Sequence, residues 1–139
     1  MRTLLIALTA LMLFATPVVA LAGTYTCTDF GNRGFDGRSG DYEPAEFSVI
    51  TFKLEADWNT KVFTEKIKGA TLFDSVTTTY RCQVPFHEGA SNLWQCVGDF
   101  KQISFNVQNG KYVRTSTFGF AIDRAGDPIF IAFGRCKKP

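Results

Sequence analysis

Val76-Thr77-Thr78-Thr79-Tyr80-Arg81-Cys82-Gln83-Val84 is the stretch whose reading decides the class of fold. Val76, Tyr80, Cys82 and Val84 fall on one face and Thr77, Thr79, Arg81 and Gln83 on the other, the period of two that marks a half-buried strand. Ile50, Phe52 and Leu54 repeat the alternation, as do Ile103, Phe105 and Val107. Tyr25 to Thr28, Lys61 to Lys66, Leu93 to Val97, Lys111 to Phe120 and Ile129 to Arg135 have strand composition too. Together these segments make about eight short strands, the count and spacing of an all-β sandwich or barrel. No segment keeps a helical period, although Phe63 to Phe73 has room for one turn. Between the strands lie turn residues: Asp57-Trp58-Asn59, Ala125-Gly126-Asp127-Pro128, and Asn109-Gly110, which predicts a type I′ hairpin. The expectation is a small antiparallel up-and-down β-barrel.

In an up-and-down barrel with an even number of strands, the first and last strands are antiparallel neighbours. That bears on the four cysteines, for which three pairings exist. Cys27 and Cys136 lie on the terminal strands, whereas Cys82 and Cys96 flank a hairpin loop containing Pro85 and Gly89. Barrel geometry therefore ranks Cys27–Cys136 with Cys82–Cys96 first. In the chain-entropy model the short loop contributes roughly 3 kcal/mol and the long one between about 4 and 5. A zinc site of four cysteines is disfavoured because no two of them are close in sequence.

The first residues read as an export signal. Arg2 precedes the apolar run Leu4 to Ala15, and Pro17 and the small-x-small site Ala20-Leu21-Ala22 follow, so cleavage is expected after Ala22. The apolar run is too short to span a bilayer. Leu21-Ala22-Gly23 would be a lipoprotein site if cysteine came next, but Thr24 does and Cys27 is too late. Residues 23–139 are then one periplasmic or secreted domain. Removing Arg2 from the 15 basic residues leaves 14 against 13 acidic ones, a net charge of +1. Nothing in that balance attracts nucleic acid or an anionic membrane.

Residues 29–46 break the strand pattern, with glycine at every third position in Gly31, Gly34, Gly37 and Gly40. The segment reads as a long glycine-rich loop, either functional or mobile. Asp36, Asp41 and Glu43 are oxygen donors within it, but their spacing matches no EF-hand. Catalytic candidates are few. The single histidine, His87, stands beside Glu88 in Pro85 to Gly89, and Ser91 occupies the position where a zinc-protease helix needs a second histidine. Glu43, Glu46, Glu55, Asp57 and Asp127 are expected to be solvated. No nucleophile motif accompanies them, so no enzyme, metal or cofactor is expected.

Three resemblances bear on function. Phe118-Gly119-Phe120-Ala121-Ile122 and Ile129-Phe130-Ile131-Ala132-Phe133 resemble the paired aromatic strands of cold-shock domains. That family's histidine is Ala132 here and its basic residue is Thr117, so the segments read as core strands and no nucleic-acid partner is expected. Tyr25-Thr26-Cys27 resembles the Tyr-x-Cys of lysozyme-inhibitor barrels, exported proteins whose barrel ends are pinned by a disulfide. That likeness is architectural, because Ser39-Gly40-Asp41-Tyr42 is one residue short of the family's inhibitory Ser-Gly-x-x-Tyr. The whole set Tyr25-Thr26-Cys27, Tyr80-Arg81-Cys82, Trp94-Gln95-Cys96 and Gly134-Arg135-Cys136 resembles small exported bacterial β-barrel proteins with no assigned activity. The resemblance implies a lipocalin-like or inhibitor-like barrel and transfers no chemistry.

The functional expectation is a non-catalytic binding module that meets a protein or glycan partner, such as an enzyme to be inhibited, through its loops. Phe35, Arg38 and Tyr42 are its binding candidates, being of the types enriched at interface hot spots or aromatic like them. The alternative is a carrier whose interior holds a small apolar ligand. Of the 14 phenylalanines only Phe14 precedes the cleavage site, so 13 remain to fill an eight-stranded barrel or to line a cavity in it.

Overall fold

A computed structural model describes residues 22–68, 75–83, 92–117 and 126–139. Its strands are β1 (Ala22–Asp36), β2 (Glu43–Glu46), β3 (Thr51–Asp57), β4 (Val62–Lys68), β5 (Ser75–Gln83), β6 (Leu93–Gly98), β7 (Lys101–Asn106), β8 (Lys111–Ser116) and β9 (Ile129–Lys137). All pairings are antiparallel, and β1, β3, β4, β5, β6, β7, β8 and β9 follow one another around a closed barrel because β9 returns to β1. The expected period of two holds: Phe52, Leu54 and Ala56, then Tyr80 and Cys82, then Ile103 and Phe105 all face inward and are buried.

Rings pack against one another inside the barrel. Trp58, from the β3–β4 turn, lies 5.1 Å from the Phe63 ring centroid and 5.3 Å from that of Trp94, and Phe105 sits 5.8 Å from Phe63 and 5.2 Å from Tyr25. An eight-stranded barrel is just wide enough for such packing. Each fully buried ring contributes about 1.5–3 kcal/mol by leaving water, and edge-to-face pairs add about 0.5–1.5 kcal/mol.

Both bridges form between residues directly opposite one another, Cys27 with Cys136 across β1 and β9 and Cys82 with Cys96 across β5 and β6. No cysteine is left free, a usage that suits an oxidising, extracytoplasmic compartment.

Three expectations need correction. Residues 29–46 are not one long loop: β1 runs on to Asp36, β2 pairs with it, and only residues 37–42 turn between them. Glycine disfavours strands, but here close approach requires it, since a Cβ on Gly34 would stand 2.7 Å from the Phe130 Cα and collide with the Ile129 carbonyl oxygen. The Asn109-Gly110 hairpin is not type I′. Only Gly110 takes a left-handed φ, of 71°, and the turn is organised by Asn106, whose Oδ1 accepts from the Gln108 and Asn109 amides at 3.0 and 3.2 Å. Asp99 and Phe100 instead make a two-residue turn with φ of 45° and 62°; aspartate suits the first position, but phenylalanine where glycine is favoured hides the turn in sequence. Finally, Ile129 to Phe133 is not wholly core: Ala132 is buried, whereas Ile131 and Phe133 are 56% and 52% exposed.

Of the export signal read over residues 1–22, all but Ala22 lie outside the described residues, as do His87 and Glu88 and Phe118 to Ile122; of Phe63 to Phe73, residues 63–68 are strand and the rest lie outside them.

The two bridges close loops of very different length, with sequence separations of 109 and 14 residues. Replacing Cys27 and Cys136 together by alanine should therefore lower unfolding stability by about 4–5 kcal/mol, and replacing Cys82 and Cys96 by about 3 kcal/mol. Urea unfolding measures that order, and peptide mapping without reductant checks the pairing.

Candidate functional site

Phe35, Arg38 and Tyr42 share one structural unit, the hairpin arm of β1 and β2. Phe35 stands opposite Pro44 on β2 and Ile129 on β9, with 44% of its surface exposed. Arg38 is not a free cation. Its Nε donates to both oxygens of Asp36, at 3.0 and 2.8 Å, and its Nη2 completes the pair. Bonds from Arg38 hold the Asp36 carboxyl below the usual carboxylate range. Tyr42 is half-buried and fastens the tip of the arm, its hydroxyl donating to the Asp127 carbonyl at 3.2 Å. Between tip and strand, Asp36, Arg38, Ser39, Glu43, Pro44 and Ala45 line a shallow groove of about 280 Å³.

A second cluster, which the sequence analysis did not single out, lies inside the barrel. Asp29 on β1, Glu65 on β4 and Arg114 on β8 are all buried. The Asp29 carboxylate accepts from Tyr112 Oη at 2.6 Å, from Arg114 Nε at 3.2 Å and Nη2 at 2.6 Å, and from the Ile50 amide at 3.2 Å. Tyr112 reaches it across β9 because the residue between them is Gly134, where a Cβ would sit 2.6 Å from the tyrosine hydroxyl. The Arg114 guanidinium is flanked by the rings of Phe52 at 5.4 Å and Phe130 at 5.1 Å.

Glu65 accepts from Tyr80 Oη at 2.8 Å, while its other oxygen has no hydrogen-bond partner among the described residues and lies 4.0 Å from Arg114 Nη1. Lys101 Nζ stands 4.0 Å from Glu65 on the opposite side and donates to Thr78 at 3.3 Å.

The electrostatics make this cluster a brace. Burial, followed by the neighbouring carboxylate, raises the phenols of Tyr80 and Tyr112 well above their ordinary value, so both remain protonated donors. Burial alone would lower the Arg114 pKa, but its bonds to Asp29 and the charge of both acids outweigh burial and raise it. Each carboxylate oxygen of Asp29 accepts two hydrogen bonds, and five strands are tied together through β1, β4, β5, β7 and β8.

The remaining predicted acids are elsewhere. Glu46 pairs with Arg33 and Glu55 with Lys66, each at 2.7 Å on the surface, and Asp57 Oδ1 accepts the Asn59 and Thr60 amides of a turn. Among the described residues no group of three His, Cys, Asp or Glu side chains is arranged to hold a metal. Sequence did contain one signal for the buried cluster: Glu65 shares the strand face of Phe63 and Ile67, and Asp29 that of Tyr25 and Cys27.

The outer wall carries a third feature. Phe30, Phe35, Val113, Ile131 and Phe133, all from β1, β8 and β9, are exposed on one side of the barrel. Compared with family models, curated proteins and solved structures, the chain matches none of them.

Breaking a buried ion pair by removing one partner costs about 3–5 kcal/mol, whereas replacing both removes the stranded charge. Arg114→Met should fall in that range in urea unfolding, and Arg114→Met combined with Asp29→Asn and Glu65→Gln should recover most of the loss. The two phenols set an alkaline limit. Their folded-state pKa values are raised above 10.0, so their contribution is intact below that pH and is lost as pH rises beyond it, when the unfolded chain ionises first. The urea midpoint should decline above pH 10, and Tyr80→Phe with Tyr112→Phe should flatten the decline.

Proposed function

We propose that the protein is exported to the periplasm or the cell exterior after loss of residues 1–22, and that it works there as a non-catalytic binding module. Its β1–β2 arm meets a protein or glycan partner, in the manner of an enzyme inhibitor. The observation that carries this reading is where the polar and apolar groups are spent. Inside the described barrel the rings pack against one another and the acids are held by Arg114, Tyr80 and Tyr112. Recognition is then left to the outside, where Phe35 and the Asp36–Arg38 pair are displayed on a two-stranded arm whose tip Tyr42 anchors. Aromatic and arginine side chains on a rigid support lose little entropy on binding.

The carrier reading would have to displace the ring cluster of Trp58, Phe63 and Phe105, so it stands second. A copurifying ligand released only when the barrel unfolds would favour it.

The test uses the exported product, whose N-terminal sequencing should begin at Gly23. Phe35→Ser combined with Arg38→Ala should weaken crosslinking to the envelope partner captured by the wild-type domain at least tenfold, about 1.4 kcal/mol. Undiminished crosslinking would remove the arm from consideration.

A further inference from the structure

The exposed wall contains a groove of about 670 Å³, within the range that ligand pockets occupy, roughly 300–1,000 Å³. It lies well away from the arm: Phe133 is four residues along β9 from Ile129, the partner of Phe35, or about 13 Å at strand rise. Phe30 follows the inward-facing Tyr25, Cys27 and Asp29 and so points outward, 66% exposed, on the same wall as Phe133 and Val113; it is the extra residue where the register of β1 against β9 slips by one between Asp29 and Gly31. Those three side chains and Leu93 form its apolar walls, and the backbone of Gly134 floors it above Tyr112.

One edge is basic. Lys111 lines the groove and stands directly opposite Arg135 in the β8–β9 register, both of them exposed. Like charges at that position repel. Another like pair, Lys53 opposite Lys66, is relieved by Glu55 at 2.7 Å from the Lys66 ammonium. Among the described residues no acid forms an ion pair with Lys111 or Arg135. The groove therefore offers an apolar trough with an uncompensated cationic lip, complementary in both halves to a molecule with an alkyl chain and an anionic head.

From this juxtaposition we infer that the outer groove between Phe30, Val113 and Phe133 binds a single-chain anionic amphiphile, its chain along the trough and its head at Lys111 and Arg135. The site is independent of the arm and of the barrel interior.

The experiment is calorimetric titration of the folded, disulfide-intact domain with decanoate, decanol, decyltrimethylammonium and acetate, each below its aggregation concentration. Saturable binding of one decanoate is expected, with decanol at least tenfold weaker and with no binding of the cation or of acetate. Dodecanoate should bind tighter than decanoate, by up to about fourfold per methylene buried. Lys111→Glu with Arg135→Glu, and separately Phe133→Ser, should each weaken decanoate at least tenfold. These are exposed positions, and far-ultraviolet circular dichroism checks that both variants fold. Arg38→Ala, in the arm, should leave decanoate affinity unchanged, so failure of this site and failure of the arm are read separately. The inference is overturned if decanoate and decyltrimethylammonium bind alike, if either groove variant keeps wild-type affinity, or if only phospholipid vesicles bind. It is equally overturned if decanoate does not bind and Phe133→Ser instead abolishes a dimer.

Discussion

The pairing of β1 with β9 is the constraint on which the rest of the molecule depends. It closes eight strands into a barrel, leaving β2 of the arm as a free edge, and its register sets which side chains of both strands face inward. Cys27 and Cys136 lie opposite one another within that seam, so the bridge between them holds the closing register rather than joining two remote points. The slip at Phe30 occurs in the same seam. Before it, Tyr25, Cys27 and Asp29 face inward; after it, Asn32 does, so one extra residue exchanges the two faces of β1 midway along its length.

Closure also explains why the barrel tolerates charge in its interior. The ring cluster of Trp58, Phe63 and Phe105 occupies the part of the barrel nearer the β3–β4 turn, and Asp29, Glu65 and Arg114 occupy the rest. A buried carboxylate is costly unless it is neutralised and hydrogen-bonded, and Asp29 meets that condition through Arg114, Tyr112 and the Ile50 amide. Such a network contributes less to net stability than an apolar core of equal size, but it demands one arrangement of β1, β4 and β8. In a barrel braced in this way Asp29 is bonded to Arg114 and Tyr112, as Glu65 is to Tyr80.

Phe63, Glu65 and Ile67 show how much of this was readable beforehand. The period of two puts all three on one strand face, and the structure buries them all. The alternation alone could not say that a glutamate would be acceptable there, because Arg114 and Tyr80, which make it so, are remote in the chain. Phe133 shows the opposite failure. Read by composition it belongs to the core, yet Ala132 and Gly134 are the residues whose parity points inward.

Besides ranking the cysteine pairing through the strand count of a closed barrel, the sequence determined by itself the properties that arise between near neighbours: the strands other than β2, and their inward faces in β3, β5 and β7. These follow from local backbone geometry and the two-residue period, which need no partner to be read. Tertiary structure alone decided the extension of β1 through its glycines, the bulge at Phe30, the Asp29–Arg114 brace and the exposure of Ile131 and Phe133. Each of these depends on where β9 lies against β1, a contact between residues roughly a hundred positions apart. No local preference encodes that contact; closure of the barrel does.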